Sequence, residues 1–80
     1  MPDYLLFDNT QTCKIHVSRL LRTAVAATSW EGRTIWTVVG LIRDGGGQFY
    51  FGHFRSEAEA EEFAGEVKRA IIGYGEESKR

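Results

Sequence analysis

The sequence contains few residues that support covalent cross-links, redox chemistry or membrane insertion. Its 80 residues include one cysteine, one proline and one methionine. Because Cys13 has no second cysteine to pair with, an internal disulfide is excluded, which favours a reducing compartment. No stretch approaches the roughly 20 apolar residues of a membrane span, and the first residues lack the basic segment of a signal peptide. These absences predict a soluble cytoplasmic protein without a membrane partner.

The chain also lacks a strong net charge. Ten Lys and Arg residues stand against eleven Asp and Glu residues, giving a formal net charge of −1. A value this small provides no general attraction to nucleic acid or to a membrane surface. The charge is uneven, since residues 14–55 carry six basic against two acidic residues, while residues 56–77 carry seven glutamates against two basic residues. We therefore expect one basic side and one acidic side.

No catalytic or metal-binding motif is evident. Cys13, His16 and His53 are scattered along the chain, whereas a nucleophile needs a base within hydrogen-bonding reach and a structural zinc site needs four ligands at characteristic spacing. The Asp-Gly-Gly-Gly turn at 44–47 lacks the Lys-Ser or Lys-Thr pair of a phosphate-binding loop. We predict a non-enzymatic protein with no metal and no cofactor, in which Cys13 is a small apolar core residue.

The clearest pattern is a β-hairpin over residues 34–54, where two runs of β-branched and aromatic residues flank the glycine turn. A four-residue turn would place Arg43 opposite Gln48 and Gly40 opposite Phe51, so that glycines relieve crowding.

Alternation along the predicted strands defines two faces. One face carries Trp36, Val38, Ile42, Phe49, Phe51 and His53, and the other carries Ile35, Thr37, Val39, Leu41, Tyr50 and Phe54. Neither face is polar. Such a sheet either is covered on both sides or presents one face as a binding surface.

The second clear element is an amphipathic helix over residues 57–72. Ser56 and Glu59 have the spacing of a capping box, and Gly73 is suited to end the helix. Its apolar stripe is Ala60, Phe63, Ala64, Val67, Ala70 and Ile71. We expect residues 1–75 to form a single compact domain and residues 76–80 to form a frayed tail.

Residues 10–28 are ambiguous between one helix and strands. Cys13, Val17, Leu20, Leu21, Ala24 and Val25 share a helical face, but the segment is also rich in β-branched residues. With Tyr4–Phe7 as an added strand, we predict an α+β fold. A small antiparallel sheet is built on the central β-hairpin, with a C-terminal amphipathic helix and a second helix over residues 10–27, in the order βαββα. The alternative is a β-meander followed by the C-terminal helix.

Two charged groups are candidate binding residues. The acidic group lies on the C-terminal helix and comprises Glu57, Glu59, Glu61, Glu62 and Glu66. The basic group comprises Arg19, Arg22, Arg43 and Arg55. The glutamates favour a protein partner with a basic surface. The arginines, beside an aromatic sheet, favour the alternative of a small nucleic-acid-binding domain. A monomer and a homodimer are both compatible with the sequence.

The small size, the lack of motifs, the single cysteine and the strand-strand-helix ending together resemble the small phage-encoded inhibitor proteins, including those of the anti-CRISPR kind. This resemblance implies a protein that binds a host nuclease or a CRISPR surveillance complex and blocks the access of nucleic acid. It assigns no role to any residue of this chain.

Overall fold

The computed structural model describes residues 4–43 and 45–77 and has an α+β architecture. Its elements in chain order are β1 (Leu5–Phe7), β2 (Lys14–His16), a 3-10 turn (Val17–Arg19), β3 (Leu20–Trp30), β4 (Arg33–Ile42), β5 (Gln48–Phe54) and α1 (Glu57–Glu77). The predicted fold class, the antiparallel pairing and the C-terminal helix are confirmed.

The second helix predicted over residues 10–27 is wrong, because β2, the 3-10 turn and most of β3 occupy this segment. Leu20 is buried, whereas Leu21 and Ala24 are exposed. The residues of the predicted helical stripe are therefore not buried together on one side. The β-branched residues pack better on a pleated surface than on a helix. Long-range pairing with β4 therefore outweighs the local helix propensity of the alanines.

The strands form two separate antiparallel sheets. One has the order β3-β4-β5, and the other pairs only β1 with β2. The expectation that Tyr4–Phe7 would add to the main sheet is therefore wrong. The β1–β2 hairpin instead attaches through its turn, where the Asn9 N–H donates to the Phe51 carbonyl at 2.6 Å and the Asn9 side-chain amide donates to the His53 carbonyl at 3.0 Å. β3 and β5 are the edge strands of the main sheet.

The predicted 34–54 hairpin is present, but its register differs from the predicted one. Leu41 lies opposite Gln48 and Gly40 opposite Phe49, since the loop is longer than four residues and closes with the Ile42 N–H donating to the Gly47 carbonyl at 2.9 Å. Asp44 lies outside the described residues.

An irregularity in β5 changes the faces of its last residues. The pairing runs from Val39 with Tyr50 directly to Val38 with Gly52, so Phe51 is an extra residue in β5. Gly52 has a φ of 137°, a value that L side chains rarely adopt. The bulge breaks the alternation, so that His53 and Phe54 exchange the faces predicted for them.

The core lies between α1 and one face of the main sheet. Its buried members are Ile15, Leu20, Val38, Phe51, Ala60, Ala64 and Val67. Small residues on α1 allow the helix to approach the sheet closely, and Phe51 fills the space between them, with its ring centroid 5.6 Å from that of Phe63. A Cβ on Gly40 would lie 2.6 Å from Leu20 and 2.9 Å from Phe51, so only glycine fits there without movement.

The helix begins as predicted but ends later. The Glu59 N–H donates to the Ser56 hydroxyl at 3.1 Å, which is one half of the predicted capping box. α1 continues through Gly73 to Glu77, so the expected end at Gly73 is wrong. Tyr74 packs edge-on against Tyr4 at 5.1 Å and His16 at 5.7 Å between ring centroids, which favours continuation. Glu76 and Glu77 of the expected tail are thus helical, and residues 78–80 lie outside the described part.

The turn between β1 and β2 is organised by Asp8. Its carboxylate accepts hydrogen bonds from the Thr10 hydroxyl at 2.6 Å and from the N–H groups of Thr12 and Cys13 at 2.8 and 3.1 Å. These bonds favour the ionised form and lower the pKa of Asp8 to about 2, with the Thr10 bond contributing most. Cys13 is exposed, so its predicted place in the core is wrong.

Candidate functional site

The face of the main sheet that points away from α1 is the first candidate surface. Alternation and strand register place on it Ala24, Ala26, Thr28, Trp30, Ile35, Thr37, Val39, Leu41, Gln48, Tyr50 and His53. We call this set the open face. An antiparallel sheet normally turns polar side chains to water when one of its faces is uncovered, but most of these side chains are apolar.

Two connected hollows form a groove along the open face. One, of about 560 Å³, is lined only by residues of β3, β4 and β5, including Thr37, Val39 and Tyr50. The other, of about 610 Å³, lies at the β3–β4 hairpin end. Both hollows are lined by Trp30, Ile35 and His53, so they adjoin, and the larger one also reaches Trp36 and Phe54 at the end of the covered face. The two hollows fall within the size range of small-molecule sites.

Exposed aromatic rings and a few polar groups lie within this apolar groove. Trp30 and Tyr50 are each 62% exposed, more than any other large hydrophobic residue in the described part of the chain. At the centre, the Thr37 hydroxyl and His53 Nδ1 lie 2.9 Å apart and form a hydrogen bond. This bond satisfies the buried Thr37 and fixes the orientation of the imidazole.

The structure divides the predicted arginine group between the two ends of the sheet. Arg19 and Arg43 are joined by a backbone hydrogen bond of 2.8 Å and line a hollow of about 300 Å³. Arg22, opposite Leu41, belongs to the same end. Arg55 follows Phe54, which is opposite Trp36, and so lies about 20–25 Å away along β4, beside Arg33 in the larger hollow.

Sequence reasoning did not single out Arg33 or Trp30 as site residues. The sequence contains a signal for their proximity: residues 31–32 can form a tight turn, which brings Trp30 opposite Arg33. Arg33 begins β4, the first strand of the predicted 34–54 hairpin. The missing step was the assignment of residues 20–30 as a strand, without which Trp30 had no partner.

The outer side of α1 is the second candidate surface. All five predicted glutamates, Glu57, Glu59, Glu61, Glu62 and Glu66, are exposed. The buried side of the same helix consists of Ala60, Ala64 and Val67. No ion pair involves these carboxylates within residues 4–43 and 45–77. Negative charge therefore collects on the helix side of the molecule, while β3 and β4 contain one arginine each and none of β3, β4 and β5 contains an acidic residue.

The residues considered for chemistry lie in different places. Cys13 is in the β1–β2 turn, His16 shares a 2.8 Å hydrogen bond with Ser18 at the start of the 3-10 turn, and His53 is on the open face. In the described residues, no group of three or more His, Cys, Asp or Glu side chains could hold a metal ion. The His16–Ser18 contact is accounted for by capping, since His16 Nδ1 also accepts from the Ser18 N–H.

No helix within residues 4–43 and 45–77 combines the length and apolarity needed to cross a membrane. No protein-family model, curated protein or solved structure matches this chain.

Proposed function

We propose that the chain is a non-enzymatic protein-binding module that presents the outer side of α1 to a basic protein surface. The observation that carries the proposal is the concentration of five exposed glutamates between residues 57 and 66, of which Glu59, Glu62 and Glu66 share the outer side of the helix. Within residues 4–43 and 45–77 no ion pair offsets them. Glu62 and Glu66, spaced i and i+4, repel each other and cost the helix a few tenths of a kcal/mol. Glu57 and Glu59 lie in the first turn, where acidic side chains stabilise a helix, but helix stability does not account for Glu62 and Glu66.

The packing of α1 supports this function. The helix contacts β3, β4, β5 and the 3-10 turn, and Tyr74 adds ring contacts to Tyr4 and His16 near its end. A helix fixed along most of its length presents its carboxylates in a nearly constant arrangement. Such preorganisation reduces the entropy lost on binding.

The resemblance to phage-encoded inhibitors narrows the proposed partner class. Nucleases and other enzymes that handle nucleic acid carry basic surfaces for phosphate. A rigid row of carboxylates would compete for such a surface, so we propose a host nuclease or a CRISPR surveillance complex as the partner. The inhibition would consist of blocking nucleic-acid access, with no covalent step.

The test compares the wild type, a glutamate variant and an arginine variant. Each form is used as bait in extracts, and its association and dissociation rates with the captured partner are then measured. Glu59→Lys, Glu62→Lys and Glu66→Lys in combination should slow association and weaken its salt dependence, because long-range attraction acts mainly on the association rate. The matched control, Arg19→Glu with Arg22→Glu, reverses charge in the 3-10 turn and in β3 rather than on the outer side of α1 and should have a smaller effect. Loss of the partner in the control but not in the glutamate variant would refute the proposal.

A further inference from the structure

We infer that the open face binds single-stranded nucleic acid, a ligand and a surface separate from those of the proposed protein-binding function. The inference starts from the shape of the groove. Two hollows that share Trp30, Ile35 and His53 form one trough along the sheet, and the strands that carry it extend for about 30 Å. A trough of this length fits an extended polymer better than a compact metabolite.

The exposed rings supply the affinity for bases. Trp30 and Tyr50 are both 62% exposed and lie on the same side of the sheet, separated along β4 by the interval from Arg33 to Val39. Aromatic side chains exposed in this way offer their surfaces to ring-shaped ligands, and base stacking on such rings tolerates any sequence. Duplex DNA does not offer unstacked bases, so the single-stranded form is the one that fits.

The charges at the two ends of the groove complement a polyanion. Arg33 and Arg55 line the hollow at the β3–β4 hairpin end, while Arg22 and Arg43 lie towards the opposite end. The three strands contain no acidic residue. A backbone of phosphates running along the groove would meet positive charge at both ends and apolar rings between them.

The same charges argue against the other occupants of an apolar sheet face. A second copy of the chain, paired face to face, would place arginines against arginines in either strand direction, which is unfavourable. An acidic protein would form ion pairs with the arginines, but carboxylates do not stack on the two exposed rings as bases do. The single strand uses both features.

The acidic side of α1 does not cancel this attraction. The shortest dimension of the molecule is 20 Å, and α1 lies on the opposite side of the sheet from the groove. At physiological ionic strength the screening length is about 8 Å, so Glu59, Glu62 and Glu66 act weakly on a ligand at the open face. Glu31, next to Trp30, and Glu57, two residues after Arg55, are nearer and offset part of the attraction at the β3–β4 hairpin end. At low salt they reduce its affinity, so that the salt dependence is shallower than for a uniformly basic protein.

The experiment measures fluorescence anisotropy of labelled oligothymidine and oligouridine of about 12 nucleotides, a length within known single-strand site sizes, with a duplex of the same length as a third probe. The full chain should bind at least one of the single strands more tightly than the duplex. Comparison of the two single strands distinguishes DNA from RNA as the source of the ligand.

The variants separate stacking from charge. Tyr50→Ala and Trp30→Ala should each weaken single-strand binding roughly five- to a hundredfold, without loss of fold because both rings are exposed. Arg33→Gln and Arg55→Gln should each reduce the slope of log affinity against log salt by about 0.7. The matched controls are Ile72→Ala, which removes a 51% exposed apolar side chain, and Lys68→Gln, which removes one positive charge. Both controls lie on α1 and should change binding less than twofold.

Three results would overturn the inference. The first is no binding of either single strand at low salt by a chain whose circular dichroism shows it folded. The second is duplex binding as tight as single-strand binding. The third is an equal loss of affinity in the α1 controls and in the open-face variants. Tight binding of a polyglutamate peptide that is unaffected by Tyr50→Ala would instead identify an acidic protein as the occupant.

Discussion

Tyr50 and Phe51 are neighbours in β5, yet their side chains have opposite surroundings. Phe51 is fully buried between the main sheet and α1, whereas Tyr50 is 62% exposed on the open face. Both faces of the sheet are largely apolar, but only one is covered by a helix. Apolar composition therefore identifies a sheet face that avoids water without saying whether the chain itself supplies the cover. The covered face accounts for the stability of the domain, and the uncovered face is available for a ligand.

The largest expected effect comes from truncating these two neighbouring rings. Phe51→Ala should lower the free energy of unfolding by about 3–5 kcal/mol, because it leaves a cavity beside Phe49 and Phe63. Tyr50→Ala should cost less than about 1 kcal/mol, since an exposed side chain loses little on truncation. Urea unfolding of both variants checks the difference. Equal losses would mean that the open face belongs to the core, and the comparison between the two faces would fail.

An intermediate effect is expected at the bulge formed by Phe51 and Gly52, which sets the faces of His53 and Phe54. Gly52→Ala should cost about 1–3 kcal/mol, because its φ of 137° is strained for alanine and its Cβ would overlap the Asn9 side chain. Gly73→Ala is the control, since nothing lies within 4 Å of a Cβ there and alanine favours the helix. Thermal unfolding should show a lower Tm for the first variant and an equal or higher Tm for the second. A neutral Gly52→Ala would contradict the bulge.

The smallest effect concerns acid sensitivity in the β1–β2 turn. The hydrogen bonds that lower the pKa of Asp8 to about 2 stabilise the folded state when the carboxylate is ionised. This stabilisation is complete above the unfolded pKa of about 4 and is lost as the pH falls towards 2. The difference in unfolding free energy between the wild type and Asp8→Asn should therefore be constant above about pH 5 and shrink below pH 4. A difference that does not change with pH would show that the hydrogen bonds do not depend on charge.

The parts of the fold that local signals specify were predictable. The turn glycines predict the β4–β5 hairpin, and Ser56 followed by the alternating small residues predicts α1. The strand β3 was not decided by local signals, because its alanines and spaced leucines also satisfy a helical period. Its identity depends on pairing with β4 across the turn at residues 31–32, a pairing that extends to Leu20 opposite Ile42 and that the periodicity within residues 20–30 does not reveal.

The candidate surfaces were predictable to different degrees. The acidic face of α1 is predictable because the spacing of the apolar residues defines the faces of the helix. The open face was foreseen only as one of two outcomes, since the sequence does not state what covers a sheet. The bulge at Phe51 then exchanged His53 and Phe54, because one extra residue reverses every later side chain in a strand. As a result His53, predicted to share a face with Val38 and Phe51, instead lies beside Thr37 in the groove.

The position of β3 at the edge of the sheet also affects how the chain behaves in concentrated solution. Along its eleven residues the strand has a single charged side chain, Arg22, and no proline. The stretch from Ala24 to Ser29 is uncharged, and all its residues other than Val25 are exposed. Unpaired N–H and C=O groups on such an edge are a template for strands of other molecules, and uncharged six-residue segments of this kind favour fibrillar aggregation. Arg22 is thus the main protection of this edge against aggregation.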